Sequence, residues 1–342
     1  MGHNLKLTSF KEICKSSWVF YKTNWKTIVL LFLPIEIAAL ICFIVLDLIP
    51  QSDSLAAIVS VILLTIFGFI FSSFVKILTL GAPCVVEQVI SGERIQKPTL
   101  WYWSIIKAIV PISIVLFLIG VLNFGFVSIV FLVSGAIFLL GSLLIDTISS
   151  YPSFSTVLNI ALIVSLLYVV VKYTIIFFVR GMFSIYVYFF DKRTGLDAVV
   201  NSFLLASGKE FAVFWRSTGI WVITIIPALI LVAPINATII YQSLGDLYFQ
   251  VMVLHQEPMI TSPSTPVSVL LDVMTMIAGI IGISFSVVMN YYLWRGVKMS
   301  ATPFEEAKYA KTRKYLKSII GFGVVFFVVA FVASIVYAVM FG

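Results

Sequence analysis

The chain has 342 residues, of which 61% are hydrophobic and only 11% are charged. Soluble domains carry roughly 25% charged residues, so this composition excludes an ordinary soluble protein and predicts a membrane protein. Lys and Arg outnumber Asp and Glu by 22 to 15, which gives a net charge of +7. Membrane proteins use such an excess to set their orientation, so we do not expect a nucleic-acid partner.

Residues that carry metal or cofactor chemistry are few. The histidines are His3 and His255, and Cys14, Cys42 and Cys84 are scattered without the spacing of a metal site. The sequence has no P-loop, no dinucleotide fingerprint and no serine-hydrolase elbow. We therefore expect no catalytic, metal or cofactor site, a non-enzymatic protein, and cysteines that serve as packing residues.

Apolar runs predict the membrane spans. A span needs about 20 apolar residues, and six runs meet this length clearly: 27–49, 55–80, 157–182, 217–241, 268–293 and 318–341. The stretch 105–145 is also apolar but contains one proline and several glycines. A straight helix of that length would be roughly twice as long as the bilayer is thick. This stretch must therefore bend, fold back or cross twice.

The basic residues predict the orientation. Twenty of the 22 lie in four regions: before span one, around 94–107, between 180 and 216, and between 295 and 317. The positive-inside rule makes these regions and the N-terminus cytoplasmic. The stretch 105–145 then crosses once, as a kinked third span over 105–123 followed by a half-inserted helix over 126–145. The result is seven spans in the cell membrane with the C-terminus outside; two crossings would give eight.

Helix-start signals precede several outward-going spans. A hydroxyl residue is followed three positions later by an acid at Ser9, Thr194 and Thr302, and Pro98-Thr99 is a weaker start without the acid. The predicted fold is an all-α polytopic transmembrane bundle of about seven spans (six to eight). It forms a single membrane domain over 1–342, with short cytoplasmic amphipathic helices before the outward-going spans.

The first of these helices, within 1–26, has an aromatic face. At 100° per residue, its aromatic and apolar residues fall within an arc of about 140°. Four lysines cluster beside that arc and are candidate contacts for lipid headgroups: Lys11, Lys15, Lys22 and Lys26. Two interpretations stay open, a helix in the membrane interface and a helix packed on the protein's own cytoplasmic side.

Charged residues within spans are candidates for an intramembrane polar site, because burying them in lipid is costly. Glu36 lies deepest, two residues after Pro34, and Lys76 and Lys172 are its candidate partners. The group could fix the packing of the bundle or form a proton or substrate site. Pro227 and Pro234 are expected to break the fifth span.

Three segments resemble a known family: 16–26 (SSWVFYKTNWK), 81–93 (GAPCVVEQVISGE) and 191–203 (DKRTGLDAVVNSF). They are similar to the polytopic membrane domain attached to some glycerophosphodiester phosphodiesterases and to its stand-alone relatives. The resemblance implies a helical membrane bundle that acts in membrane organisation or transport. It implies no catalytic residues, because the phosphodiesterase chemistry belongs to a soluble barrel of about 250 residues that this chain has no room to encode.

These observations favour a non-enzymatic integral membrane protein that organises or assists other membrane components. Its expected partners are anionic lipid headgroups and other membrane proteins. The alternative is a transporter or permease of a small solute or lipid that uses Glu36 and the broken fifth helix.

Overall fold

The computed structural model of the chain describes residues 7–47, 83–84, 86–91, 98–148, 152–248, 265–301 and 305–341. No strand occurs in these ranges, and the predicted all-α class is confirmed. The main helices are, in chain order, α1 (Phe10–Asp47), α2 (Pro98–Ile148), α3 (Pro152–Gly181), α4 (Ser184–Asp191), α5 (Gly195–Ala206), α6 (Glu210–Leu231), α7 (Ala233–Tyr248), α8 (Thr265–Met299) and α9 (Glu306–Phe341).

Several helices have the length and apolar character of membrane spans. Within the described residues these stretches are Val110–Ile145, Phe154–Asp191, Glu210–Leu231, Val273–Met299 and Glu306–Ala333. They overlap the third to seventh predicted spans. The first predicted span is the second half of α1, and the second, 55–80, lies outside the described residues. The helices are those of a multi-pass membrane protein.

The chain divides into two compact units. Unit 1 comprises Met1–Leu7, Lys107–Trp215 and Gly296–Gly342, and unit 2 comprises Thr8–Ile106 and Arg216–Arg295. Unit 1 contains most of α2, all of α3 to α5, and α9. Unit 2 contains α1, α7 and most of α6 and α8.

α2 is one continuous helix of 51 residues. The structure does not show the predicted break between 105–123 and 126–145, since both segments belong to this helix. Glycines weaken helices in water, but in an apolar setting the backbone groups have no partner other than the helix itself, so the helix persists. Pro111 is accommodated inside it.

α2 and α3 form an antiparallel hairpin in unit 1. The ring of Phe126 stacks on that of Phe177, with an interplanar angle of 10°. Further along, a Cβ atom on Gly141 would lie 2.6 Å from Leu162 Cδ2. The two contacts are fifteen residues apart on both helices, so the register is constant. The second half of α2 therefore pairs with α3 along its length.

α9 crosses α2 at a pair of glycines. A Cβ atom on Gly125 would lie 2.7 Å from the Ile319 carbonyl oxygen and 3.1 Å from Gly323 Cα. Phe124 packs beside this crossing against Phe326 and Phe327. Only the lack of side chains lets the two backbones approach this closely.

Two helices include the basic segments that precede their spans. α1 joins the predicted amphipathic helix to span one, and α9 begins at Glu306, well before the predicted start of its span at 318. At the start of α1 the Ser9 hydroxyl and backbone N–H donate to the Glu12 carboxylate at 2.9 and 2.8 Å, and the Glu12 N–H donates to Ser9 Oγ at 3.2 Å. This is the capping box that the sequence predicts.

The fifth predicted span is broken at Val232, between α6 and α7. Pro227 stays inside α6, whereas Pro234 follows the break. Proline has no N–H, and its ring clashes with the carbonyl four residues earlier, so Pro234 accounts for the break at the end of α6. The Val232 N–H donates to the Ala228 carbonyl at 2.8 Å, so the turn is tight.

Candidate functional site

One face of the first half of α1 is buried within unit 2. Ile13, Ser17, Phe20 and Ile28 are buried, with exposed fractions of 8% or less. They recur at helical spacing and form a single stripe. The stripe accounts for the position of the helix, because a face buried to this extent holds α1 against its neighbours.

Contacts with α8 and α6 anchor this stripe. The Tyr21 hydroxyl lies 3.1 Å from Ser284 Oγ, and its ring meets the Phe285 ring edge to face. Phe20 meets the Tyr292 ring in the same way. Near the start of α1, the Phe10 ring occupies the space where Gly219 of α6 has no side chain. Of the two interpretations of this helix, packing on the protein is therefore what the structure shows.

The same helix also exposes large apolar side chains. Trp18 is 58% exposed and Trp25 is 48% exposed. At 100° per residue they lie about 20° apart, between the buried stripe and the lysines. Tryptophan prefers the boundary between lipid and water. Lipid contact by this face is compatible with the packing and stays a prediction.

The four candidate headgroup lysines, Lys11, Lys15, Lys22 and Lys26, are all exposed. They lie on one side of α1, within an arc of about 60°. Among the described residues none of them forms an ion pair. Their charge is therefore available to an anion outside the chain. We call this set the lysine stripe.

A groove lies between the lysine stripe and α8. It has a volume of about 550 Å³ and is lined by Lys15, Ser16, Val19, Phe20, Thr23, Asn24 and Tyr292. No acidic residue is among them. The Thr23 hydroxyl donates to the Val19 carbonyl at 3.0 Å, and the Asn24 amide donates to the Phe20 carbonyl at 3.1 Å. The Lys15 ammonium and the Ser16 and Tyr292 hydroxyls make no hydrogen bond with any residue that the structure describes.

The candidate intramembrane site is described only at Lys172. This residue is half-buried on α3, and its ammonium lies 5.8 Å from the centre of the Tyr168 ring. The Glu36 side chain and the whole of Lys76 lie outside the described residues. The proposed pairing of these three residues stays a prediction.

A cluster of ion pairs in unit 1 was missed from the sequence. The Arg180 guanidinium donates twice to the Glu210 carboxylate, at 2.7 and 2.5 Å. Lys298 binds Asp191 at 2.5 Å. In the sequence analysis, Arg180 is part of the basic region between 180 and 216. The signal that could have revealed the cluster is the presence of acids within the basic regions.

α5 lies at the centre of this cluster. Its Asp197 accepts a hydrogen bond from the Tyr309 hydroxyl at 2.7 Å and lies 3.4 Å from Arg313, both on α9. The Ser202 hydroxyl of α5 donates to the Arg180 carbonyl at 2.5 Å. These bonds join α3, α5 and α9 and leave those charges engaged, so the cluster is structural.

Lys209 adds a further connection within unit 1. Its ammonium donates to the Ser300 carbonyl and, at 2.9 Å, to Ser300 Oγ. Burial lowers the pKa of Lys209 below its usual value. The residue connects the start of α6 to the end of α8.

The described cysteines are free, and their thiols are weakly acidic. Burial raises the pKa of Cys14, and burial together with nearby Glu87 raises the pKa of Cys84 to about 12. Such thiols are protonated at neutral pH and are poor nucleophiles. The side chain of Cys42 lies outside the described residues. Across the ranges that are described, no group of His, Cys, Asp and Glu could hold a metal ion.

Comparison of the chain with protein-family models, curated proteins and solved structures found no match. The resemblance to the membrane domain of glycerophosphodiester phosphodiesterases therefore rests on the three sequence segments alone.

Proposed function

We propose that this protein is a non-enzymatic integral protein of the cell membrane that organises or assists other membrane components through contact with anionic lipid. The lysine stripe is the observation that carries the proposal. Its four ammonium groups are exposed, share one side of α1 and have no ion-pair partner among the described residues.

The packing of α1 strengthens this proposal. A lysine near an anionic surface contributes about 1 kcal/mol of attraction. A freely moving segment would lose part of that attraction to the entropy of ordering it. Here the buried stripe already holds the helix, so the lysines are presented in a fixed arrangement. Trp18 and Trp25 lie beside them, on the side suited to the lipid boundary.

The same proposal includes the orientation predicted from charge. The lysine stripe lies in the cytoplasmic leaflet, which is the more anionic one, and the C-terminus lies outside. Other membrane proteins are the partners that such a lipid-binding protein would assist.

Co-extracted lipid tests the proposal. The protein is extracted from its native membrane in polymer nanodiscs, and the phospholipids that accompany it are quantified. We expect enrichment of anionic lipid around the native chain and loss of that enrichment when all four stripe lysines are changed to Gln. Changing the same four residues to Arg keeps the charge and should preserve the enrichment. Equal lipid composition in all three samples would refute the proposal.

A permease for a small solute or lipid is the second candidate, favoured by the break between α6 and α7 at Val232. Interrupted helices form mid-membrane binding sites in transporters. Solute flux into proteoliposomes tests it, with Glu36→Gln as the variant and Glu87→Gln as the matched control. Flux that both variants leave unchanged counts against a role for Glu36.

A further inference from the structure

We propose that the groove between α1 and α8 binds the headgroup of a single anionic phospholipid, of the kind whose headgroup carries hydroxyls. This inference rests on the proposed function and adds a defined site to the general attraction of the lysine stripe. The polar residues of the groove are Lys15, Ser16, Thr23 and Asn24 of α1 and Tyr292 of α8.

The size of the groove suits one headgroup. Its volume of about 550 Å³ falls within the roughly 300–1,000 Å³ of small-molecule sites. Val19 and Phe20 form an apolar part of its wall, and the polar groups converge around them. An apolar wall with a few placed polar groups is the usual composition of a site that orients its ligand.

The charge of the groove selects a phosphate. Lys15 provides an ammonium, and the Ser16 and Tyr292 hydroxyls are donors without a partner among the described residues. The nearest acid along α1, Glu12, accepts hydrogen bonds from Ser9 in the capping box. A phosphate diester would satisfy these donors with charge-assisted hydrogen bonds.

The acceptors in the groove select a hydroxylated headgroup. Because the Thr23 hydroxyl and one Asn24 N–H donate to the backbone of α1, the Thr23 oxygen and the Asn24 carbonyl oxygen can accept from headgroup hydroxyls. Among the described residues, no carboxylate lines the groove to balance a choline or ethanolamine ammonium. The lining therefore fits a glycerol or inositol headgroup better than a zwitterionic one.

The position of the groove along α1 favours a lipid over a free phosphate compound. Asn24 lies three residues before the predicted start of span one, within about 5 Å along the helix axis. The headgroup layer of a bilayer is of that depth on each side. The membrane end of the groove thus opens where lipid headgroups lie.

Native mass spectrometry of the full-length protein in detergent tests the site. The probes are dioctanoyl phosphatidylglycerol, dioctanoyl phosphatidylcholine and free glycerol 3-phosphate. We expect the native chain to retain one phosphatidylglycerol and to bind the other two at least fivefold more weakly. Lys15→Gln and Tyr292→Phe should each lower the affinity for phosphatidylglycerol about fivefold, the change that corresponds to about 1 kcal/mol.

Lys311→Gln is the matched control, because it removes an exposed lysine of α9 that belongs to neither the groove nor the lysine stripe. It should leave the single bound lipid in place. If Lys22→Gln, which removes a stripe lysine outside the groove, weakens retention as much as Lys15→Gln and Tyr292→Phe has no effect, the groove is not the site, although the stripe still attracts anionic lipid. Equal binding of phosphatidylglycerol and phosphatidylcholine by the native chain would overturn both proposals. If glycerol 3-phosphate binds as tightly as phosphatidylglycerol, the proposal that a lipid occupies the groove is wrong.

Discussion

The ring of Phe126 on α2 lies 4.1 Å, centroid to centroid, from the ring of Phe177 on α3. Phe177 is three residues before Arg180, which pairs with Glu210. The stacked rings therefore place Phe126 close to the charged end of the hairpin. Residues of α2 after Phe126 run alongside α3, and residues before Ser113 extend about 20 Å or more past that contact.

This register predicts that α2 crosses the membrane with its second half. In a chain without other cysteines, Ile137→Cys should resist a water-soluble maleimide applied to either side of the membrane. Ile114→Cys, about 18 Å before Phe126 along the helix, should be labelled from the side that carries the basic residues. Both residues are nearly half-exposed in the structure, at 46% and 49%, so the protein itself does not shield either of them.

If Ile114→Cys instead resisted the reagent and Ile137→Cys were labelled, the segment 105–123 would be the span, as the sequence predicts. That assignment followed from the positive-inside rule, which requires a single crossing, and from the glycines that were expected to interrupt the stretch. In the structure Gly125 does not break the helix but lies in close contact with Gly323 of α9. This contact joins residues almost two hundred positions apart, and no local pattern in the sequence indicates it.

The contact between Gly125 and Gly323 predicts that adding a side chain at this crossing lowers the stability of the protein. Gly125→Ala should lower the free energy of unfolding by about 1 to 3 kcal/mol, because its methyl group would collide with the Ile319 carbonyl and force α2 and α9 apart. Gly135→Ala is the control, since nothing lies within 4 Å of the added carbon there. Thermal unfolding in detergent measures both. Equal stability of the two variants would contradict the close approach.

The ion pairs of unit 1 should differ in their contribution to stability. Glu210 is only 11% exposed, so Arg180→Met leaves a nearly buried carboxylate without its partner and should cost about 2 kcal/mol. Arg313 and Asp197 are 46% and 38% exposed, and Arg313→Met should cost less than about 1 kcal/mol. Unfolding in denaturant compares the two variants. A larger loss for Arg313→Met would show that Glu210 does not depend on Arg180.

Cys84 should be almost inert towards alkylation. With its pKa raised to about 12, a very small fraction is thiolate at pH 8, and the reaction should be about a thousandfold slower than for an unperturbed thiol of pKa about 8.5. The rate should rise about tenfold per pH unit until the pKa is reached. Iodoacetamide labelling of a chain with Cys14 and Cys42 replaced by Ser measures it. A rate that levels off near pH 9 would contradict the burial of Cys84.

The sequence predicted the local features of the candidate site. The capping box at Ser9 and the side of α1 that carries the lysines depend only on residues a few positions apart, and both can be deduced from helical geometry. The groove could not be deduced in this way. Tyr292 reaches α1 only through the packing of α8, which depends on contacts such as that between Tyr21 and Ser284.

The unit 1 cluster was missed for a related reason. The positive-inside rule uses the basic residues and gives little weight to acids. Asp197 therefore entered the interpretation only as a helix-start signal after Thr194, and Asp191 and Glu210 did not enter it. In the structure these three acids neutralise Arg180, Lys298 and Arg313.

Lipid selectivity in reconstituted vesicles tests the central claim most directly. Spin-labelled phosphatidylglycerol and phosphatidylcholine are compared for their association with the native protein and with the variant in which Lys11, Lys15, Lys22 and Lys26 are all Gln. We predict that the native chain prefers phosphatidylglycerol, that this preference weakens as salt is added, and that the variant shows little of it. An equal preference in the native and variant proteins would contradict the role of the lysine stripe.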